Sequence, residues 1–158
     1  MPKRTASDSR FFPERKRQKT EPEDYSGFSI SIIARNKNTF LKITAPDRLV
    51  HFYACGWNKS GQLGLGDTKS RNTFTPVKLP DNFVLNEVLC GAFNTFIRGK
   101  KNGKKVLYAC GSNSYRQLGL GDIEDRNTFT PVKLPDGLAL ENVKCGYYHT
   151  VIQGKENG

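Results

Sequence analysis

The hexapeptide QLGLGD occurs twice, at Gln62–Asp67 and at Gln117–Asp122, and its glycines could turn backbone amides toward a phosphate. A phosphate loop, however, sets those amides at the start of a helix beside a lysine and a hydroxyl, and no helical period follows either copy. The closing Asp would also repel an anion. The motif therefore reads as a structural turn, in which Gly64, Gly66, Gly119 and Gly121 supply backbone shape, with Gly56, Gly61 and Gly111 expected to do the same just before it.

Other residue types invite chemistry and give it little support. Cys55, Cys90, Cys110 and Cys145 would suffice as four zinc ligands, but they fall 35, 20 and 35 residues apart rather than in close pairs. Each precedes a glycine at the end of an apolar run, which suits a core thiol. Asp67 and Arg71 stand four apart, as do Asp122 and Arg126, a spacing that fits a turn-fixing ion pair better than a catalytic one. The two histidines, His51 and His149, have no nucleophile and acid arranged around them. No side-chain catalysis, cofactor or metal is expected.

The elements that must position these residues are short strands. From Phe28 onward the chain alternates (FSISII) and then gives brief runs rich in aromatic and β-branched residues, NTFLKI and LVHFYAC, punctuated by Asn, Pro and Asp. No run approaches the roughly 18 apolar residues that a membrane-spanning helix needs, so no membrane partner is expected. The charged N-terminus lacks the form of a secretory signal, and unpaired cysteines suit a reducing compartment.

Shifting the chain by 55 residues aligns Tyr53–Lys100 with Tyr108–Lys155, and 30 of 48 positions are identical without a gap. A period near 50 built from strands and turns belongs to propeller blades or solenoid units. Each unit is expected to hold four strands: Val106 to Cys110, Thr130 to Leu134, Asn142 to Cys145 and His149 to Ile152 in the second copy, and the same 55 residues earlier in the first, joined successively by the Gly-rich turn, a Pro-Asp turn and a Cys-Gly step.

These residues resemble the repeats of the regulator of chromosome condensation family. The first unit carries Gly56, Asn58, Gly61, Gln62 to Asp67, Arg71, Pro76, Cys90 and Gly91. The second carries Gly111, Asn113, Gln117 to Asp122, Arg126, Pro131, Cys145, Gly146, His149 and Thr150. The resemblance spans about 100 of the 158 residues. It implies an all-β, incomplete propeller: two four-stranded blades plus part of a preceding one. The expected organisation is a disordered basic tail over 1–27, partial blade strands over 28–52, one repeat over 53–107 and a second over 108–158. Two departures stand out. Arg116 replaces Gly61, at a cost of about 1 kcal/mol if the site needs positive φ, and Asn94 replaces His149. His149 is accordingly read as a structural hydrogen-bonding residue whose polar contact Asn94 could supply.

Charge directs attention to partners. The net charge is +10, and residues 28 to 158 carry 18 basic against 10 acidic groups, or +8, so the excess is not confined to the tail. Within the tail, Lys3 and Arg4 are followed after ten residues by Arg15, Lys16, Arg17 and Lys19, a bipartite pattern that reads as a nuclear import signal, the other reading being a solvated basic tail. Between the repeats, Arg98, Lys100, Lys101, Lys104 and Lys105 flank Asn102-Gly103, a hairpin signal that would display them at one tip toward phosphate or an acidic protein face. The other reading there is a solvated hairpin with edge-protecting lysines.

The expected function is a non-enzymatic nuclear interaction module, with cytoplasm as the other location. By resemblance its partners would be a small GTPase, a histone or another nuclear protein. Guanine nucleotide exchange on a Ran-type GTPase is the alternative, and nucleic-acid binding through the hairpin is third. Open sheet edges could also drive self-association, engage a partner or mark a truncated product.

Overall fold

The computed structural model describes residues 26–156. Those residues form strands and turns, with no helix among them. The import-signal residues Lys3, Arg4, Arg15, Lys16, Arg17 and Lys19 lie outside the described residues.

Ten strands make three antiparallel sheets. The first sheet joins β1 (Ser29–Arg35), β2 (Asn38–Thr44), β3 (Val50–Gly56) and β4 (Arg71–Pro76) in chain order. A second repeats the arrangement with β5 (Phe83–Cys90), β6 (Asn94–Lys101), β7 (Lys104–Gly111) and β8 (Arg126–Pro131). The third pairs β9 (Leu138–Cys145) with β10 (Thr150–Glu156). The chain is thus all-β and forms part of a propeller, as the repeat implied.

The phase of the sheets differs from the parsing by repeat. A sheet runs from the last two strands of one unit into the first two of the next, so residues 29–52 belong to a complete four-stranded sheet and the two-stranded one is C-terminal. The outer strands also sit earlier than expected. RNTFTP, not TPVKL, forms β4 and β8, with Gly56 opposite Arg71 and Gly111 opposite Arg126. Pro76 and Pro131 close these strands because proline offers no amide to the ladder, and only a single bond continues beyond each, from Val77 N to Phe52 O and from Val132 N to Leu107 O.

Two cores lie between the sheets. Successive residues of a strand project to opposite faces, so β6 sends Phe96 to one core and Ile97 to the other, and β7 divides Leu107 from Tyr108 in the same way. The middle sheet is covered on both faces, which is why β7 carries a continuous apolar run, Val106–Cys110, rather than an alternating one. Ile32–Arg35 of β1, Val88–Cys90 of β5 and Val143–Cys145 of β9 line one common cleft, which sets the first strand of each sheet on the inside of the arc.

The expected turns are present. Asn102 and Gly103 both have positive φ, at 51° and 78°, and close the β6–β7 hairpin. The Pro-Asp turns close through Phe83 N to Pro80 O and Leu138 N to Pro135 O, with Asn82 and Gly137 taking the left-handed position.

Candidate functional site

The QLGLGD loops are organised from within by a buried asparagine. Asn58 accepts from Leu63 N at 2.8 Å through Oδ1, while its Nδ2 donates to the carbonyls of Asp67 at 2.9 Å and Lys69 at 3.1 Å. Asn113 repeats the scheme with Leu118 N at 3.0 Å and the Asp122 carbonyl at 2.9 Å. At the rim, Arg71 pairs with Asp67 at 2.7 Å and Arg126 with Asp122 at 2.5 Å. Hydrogen bonding from each Arg, reinforced by the backbone amide two residues on, holds both carboxyls below the usual carboxylate range. The acid-base pairs therefore fix turns.

The first loop is also the joint between the first two sheets. The Gln62 carbonyl accepts from Thr95 Oγ1 at 2.8 Å and Cys110 Sγ at 3.4 Å, both on the second sheet. Gly66 N donates to Asn127 O at 2.8 Å, and Asn127 Nδ2 returns a bond to Gly66 O at 3.1 Å. Leu63 is fully buried in the core between these sheets. Gly61 and Gly64 allow the approach: a β-carbon on Gly61 would lie 2.5 Å from Asn127 Cα, and one on Gly64 2.5 Å from the Phe129 ring.

This geometry answers the phosphate question. Leu63 N is bonded to Asn58 Oδ1, Gly64 N to Gly61 O and Gly66 N to Asn127 O, so these amides already have partners within the protein. All seven glycines expected to shape turns, Gly56, Gly61, Gly64, Gly66, Gly111, Gly119 and Gly121, have positive φ. Arg116 keeps the same left-handed conformation at φ 59°, where Gly61 has 80°.

The cysteines are free thiols. Burial pushes Cys90 up to about 12, with neighbouring Cys145 adding to it, and Cys145 up to about 11. Cys110, fully buried, is likewise raised well above the usual thiol range by burial. None of these three is poised as a thiolate. The role expected of the His149 side chain falls to the backbone instead. Gly91 N donates to Asn94 O at 2.9 Å and Gly146 N to His149 O at 2.8 Å, leaving side-chain identity free to differ between copies.

The basic hairpin is narrower than its sequence suggests. Arg98 is drawn onto the sheet, pairing with Glu87 at 2.5 Å and donating to the Glu141 carbonyl. Its partners come from β5 and β9, so nothing near it in sequence announces them. Lys105 Nζ reaches the Leu140 carbonyl at 3.5 Å. Four lysines remain about the tip, with Lys100 opposite Lys105 and Lys101 opposite Lys104. Like charges set directly opposite across a strand pair repel.

Residues 51–97 and 106–153 match the family model of the regulator of chromosome condensation (RCC1) repeat. The ultraviolet-B receptor UVR8 of Arabidopsis thaliana is 30% identical over 105 residues, covering 66% of this chain and 23% of that protein. The secretion-regulating guanine nucleotide exchange factor of Bos taurus is 33% identical over 109 residues, covering 67% of this chain and 22% of the relative. The chain thus spans about a quarter of the length of these relatives. Among solved structures, Prp20p of Saccharomyces cerevisiae superposes with a TM-score of 0.60 at 19% identity, over 88% of this chain and 33% of that one.

Proposed function

Because this chain belongs to the regulator of chromosome condensation repeat family, we propose that it is a non-enzymatic nuclear interaction module that engages an acidic protein face or chromatin. The observation that carries this reading is the hairpin tip. Lys100, Lys101, Lys104 and Lys105 are held in mutually repelling pairs, an arrangement that an anionic partner would relieve. The repeated polar residues support the same view, since Asn58, Asn113 and the Asp–Arg pairs are occupied with the fold rather than with a substrate. Prp20p, which shares the fold, is described with binding properties to histones and to Gsp1p.

Binding of nucleosomes to the full chain is expected to weaken steeply with salt. Changing Lys100, Lys101, Lys104 and Lys105 to Gln should flatten the log–log salt slope by up to about 3.6 if all four meet DNA phosphates. An unchanged slope and affinity would remove the hairpin from the interface. Changing Arg98 alone should instead disturb the sheet, through Glu87, more than the salt slope.

Nuclear entry is assigned to the two basic clusters of the N-terminal segment, on their spacing. A tagged protein lacking residues 1–20 should then stay cytoplasmic. Its persistence in the nucleus would count against the signal.

A second reading is supported by the similarity to an exchange factor. In it the chain acts as, or as part of, a guanine nucleotide exchange factor for a Ran-type GTPase. It predicts faster release of labelled GDP from such a GTPase when the chain is added, and an unaltered release rate sinks it.

A further inference from the structure

The two repeats are identical at 30 of 48 aligned positions, so the other 18 show where the copies were free to diverge. Seven of the 18 fall in two short stretches: positions 57, 59, 60 and 61 against 112, 114, 115 and 116, and positions 92, 93 and 94 against 147, 148 and 149. Antiparallel pairing brings both stretches to one end of the sheets, since Asn38 stands opposite Gly56 and Asn94 opposite Gly111. Backbone bonds tie them there, from Trp57 N to Lys37 O at 3.0 Å and from Ser112 N to Phe93 O at 2.8 Å. The lysine hairpin between β6 and β7 turns at the opposite end.

What the divergent positions built is a continuous row of rings. Trp57 meets Phe93 at 5.4 Å between centroids, Phe93 meets Tyr147 at 5.2 Å, Tyr147 meets Tyr148 at 4.5 Å, and Tyr148 meets Tyr115 at 4.8 Å. The row crosses all three sheets. Its far end is open to solvent, with Tyr115 66% and Tyr148 50% exposed. Exposed aromatics in such a run are not explained by the cores, whose members are separate residues.

Cations stand beside the rings, and the acids that reach this end are held by the fold, Asp67 and Asp122 by Arg71 and Arg126, and Asp125 by the Asn113 amide at 2.7 Å. Lys37 lies over the Trp57 ring at 5.9 Å, and Lys59 and Arg116 belong to the same loops. The five segments 35–38, 57–61, 91–94, 112–116 and 146–149 contain no Asp or Glu. Aromatic faces interleaved with cations suit a ligand that carries flat π-surfaces and a regularly charged backbone. Single-stranded nucleic acid has both, whereas an acidic peptide would satisfy the cations and leave the rings unused.

We propose that the Trp57–Phe93–Tyr147–Tyr148–Tyr115 row is a stacking platform for single-stranded nucleic acid, with Lys37, Lys59 and Arg116 meeting its phosphates. The site is independent of the lysine hairpin and of the partner assigned to it. Base stacking on a ring contributes enough that its removal weakens binding by about tenfold.

Trp57 is the sole tryptophan of the chain, so its emission reports on this row alone. Titrating the full chain at low salt with an oligothymidylate of about a dozen nucleotides should quench Trp57. Tyr148→Ala and Tyr115→Ala should each raise Kd by about tenfold, Tyr148→Phe should leave it near the parent value, and Gln at the four hairpin lysines should leave the quench intact. Both tyrosines are exposed, so the alanine variants should keep the parent circular dichroism. The proposal is overturned by an absent quench, by affinity unmoved in the alanine variants, or by loss of binding in Tyr148→Phe equal to that in Tyr148→Ala. Equal quenching by polyglutamate, or equal affinity for duplex of the same length, would overturn it as well.

Discussion

Replacing Asn58 with alanine is expected to destabilise the protein by about 4 kcal/mol, since each buried polar group left unpaired costs about 1–3 kcal/mol. The amide side chain is fully buried and serves three backbone groups at once: the Leu63 N–H and the carbonyls of Asp67 and Lys69. Alanine removes all of these contacts, while the surrounding loop remains pinned to the second sheet and cannot easily turn its freed groups to water. Asn58→Asp separates the contributions. It keeps the acceptor for Leu63 N but loses the donor to the two carbonyls and brings a second carboxylate near Asp67 Oδ1, which Nδ2 now meets at 3.3 Å. Aspartate should therefore be nearly as damaging as alanine. Denaturant unfolding of the full chain tests both, and an aspartate variant close to the parent would show that only the Leu63 bond matters. Asn113→Ala should follow Asn58→Ala, because its side chain holds the corresponding Leu118 N–H and Asp122 carbonyl.

Exchanging the residues at one aligned position should move stability in opposite directions and by unequal amounts. Arg116→Gly is expected to stabilise by about 1 kcal/mol, because arginine at φ 59° occupies a left-handed conformation that costs an L-residue roughly 1–2 kcal/mol. Gly61→Arg carries the same backbone term and adds a collision. A β-carbon there would meet Asn127 Cα at 2.5 Å and the Arg126 carbonyl at 2.8 Å, atoms of a neighbouring strand that cannot swing aside as a side-chain tip would. With overpacking adding about 1–3 kcal/mol, the total loss should reach about 3 kcal/mol. Thermal unfolding of the two variants gives the comparison. Equal and opposite shifts would mean that position 61 is only a backbone requirement, and that the loop does not press on β8 as described.

Much of this fold was legible from residues close together in the chain. The Asn102-Gly103 hairpin, the Pro-Asp turns and the Asp–Arg pairs four apart depend on local geometry, and each appears where the sequence indicates it. Arg98 shows the boundary of that legibility. In sequence it belongs to a basic cluster, yet its guanidinium is taken by Glu87 on the paired strand and by the backbone of Glu141, 43 residues away. The aromatic row was hidden for the same reason, since Trp57, Phe93 and Tyr147 become neighbours only once three sheets stand side by side.

The sequence by itself determined the period, the family and the glycine turns of the repeat, because a repeat and a turn are properties of the chain read along its length. Tertiary structure alone decided the phase, placing sheet boundaries in the middle of each unit, and it alone gave the first QLGLGD its work. A repeat of 55 residues fits any starting point equally well, so its length says nothing about which four consecutive strands share a sheet. That choice is made by hydrogen-bond partners and buried faces across the chain. There the glycines of the first loop let the Asn127 backbone come close enough to bond Gly66, and a twice-written turn becomes the joint between two sheets.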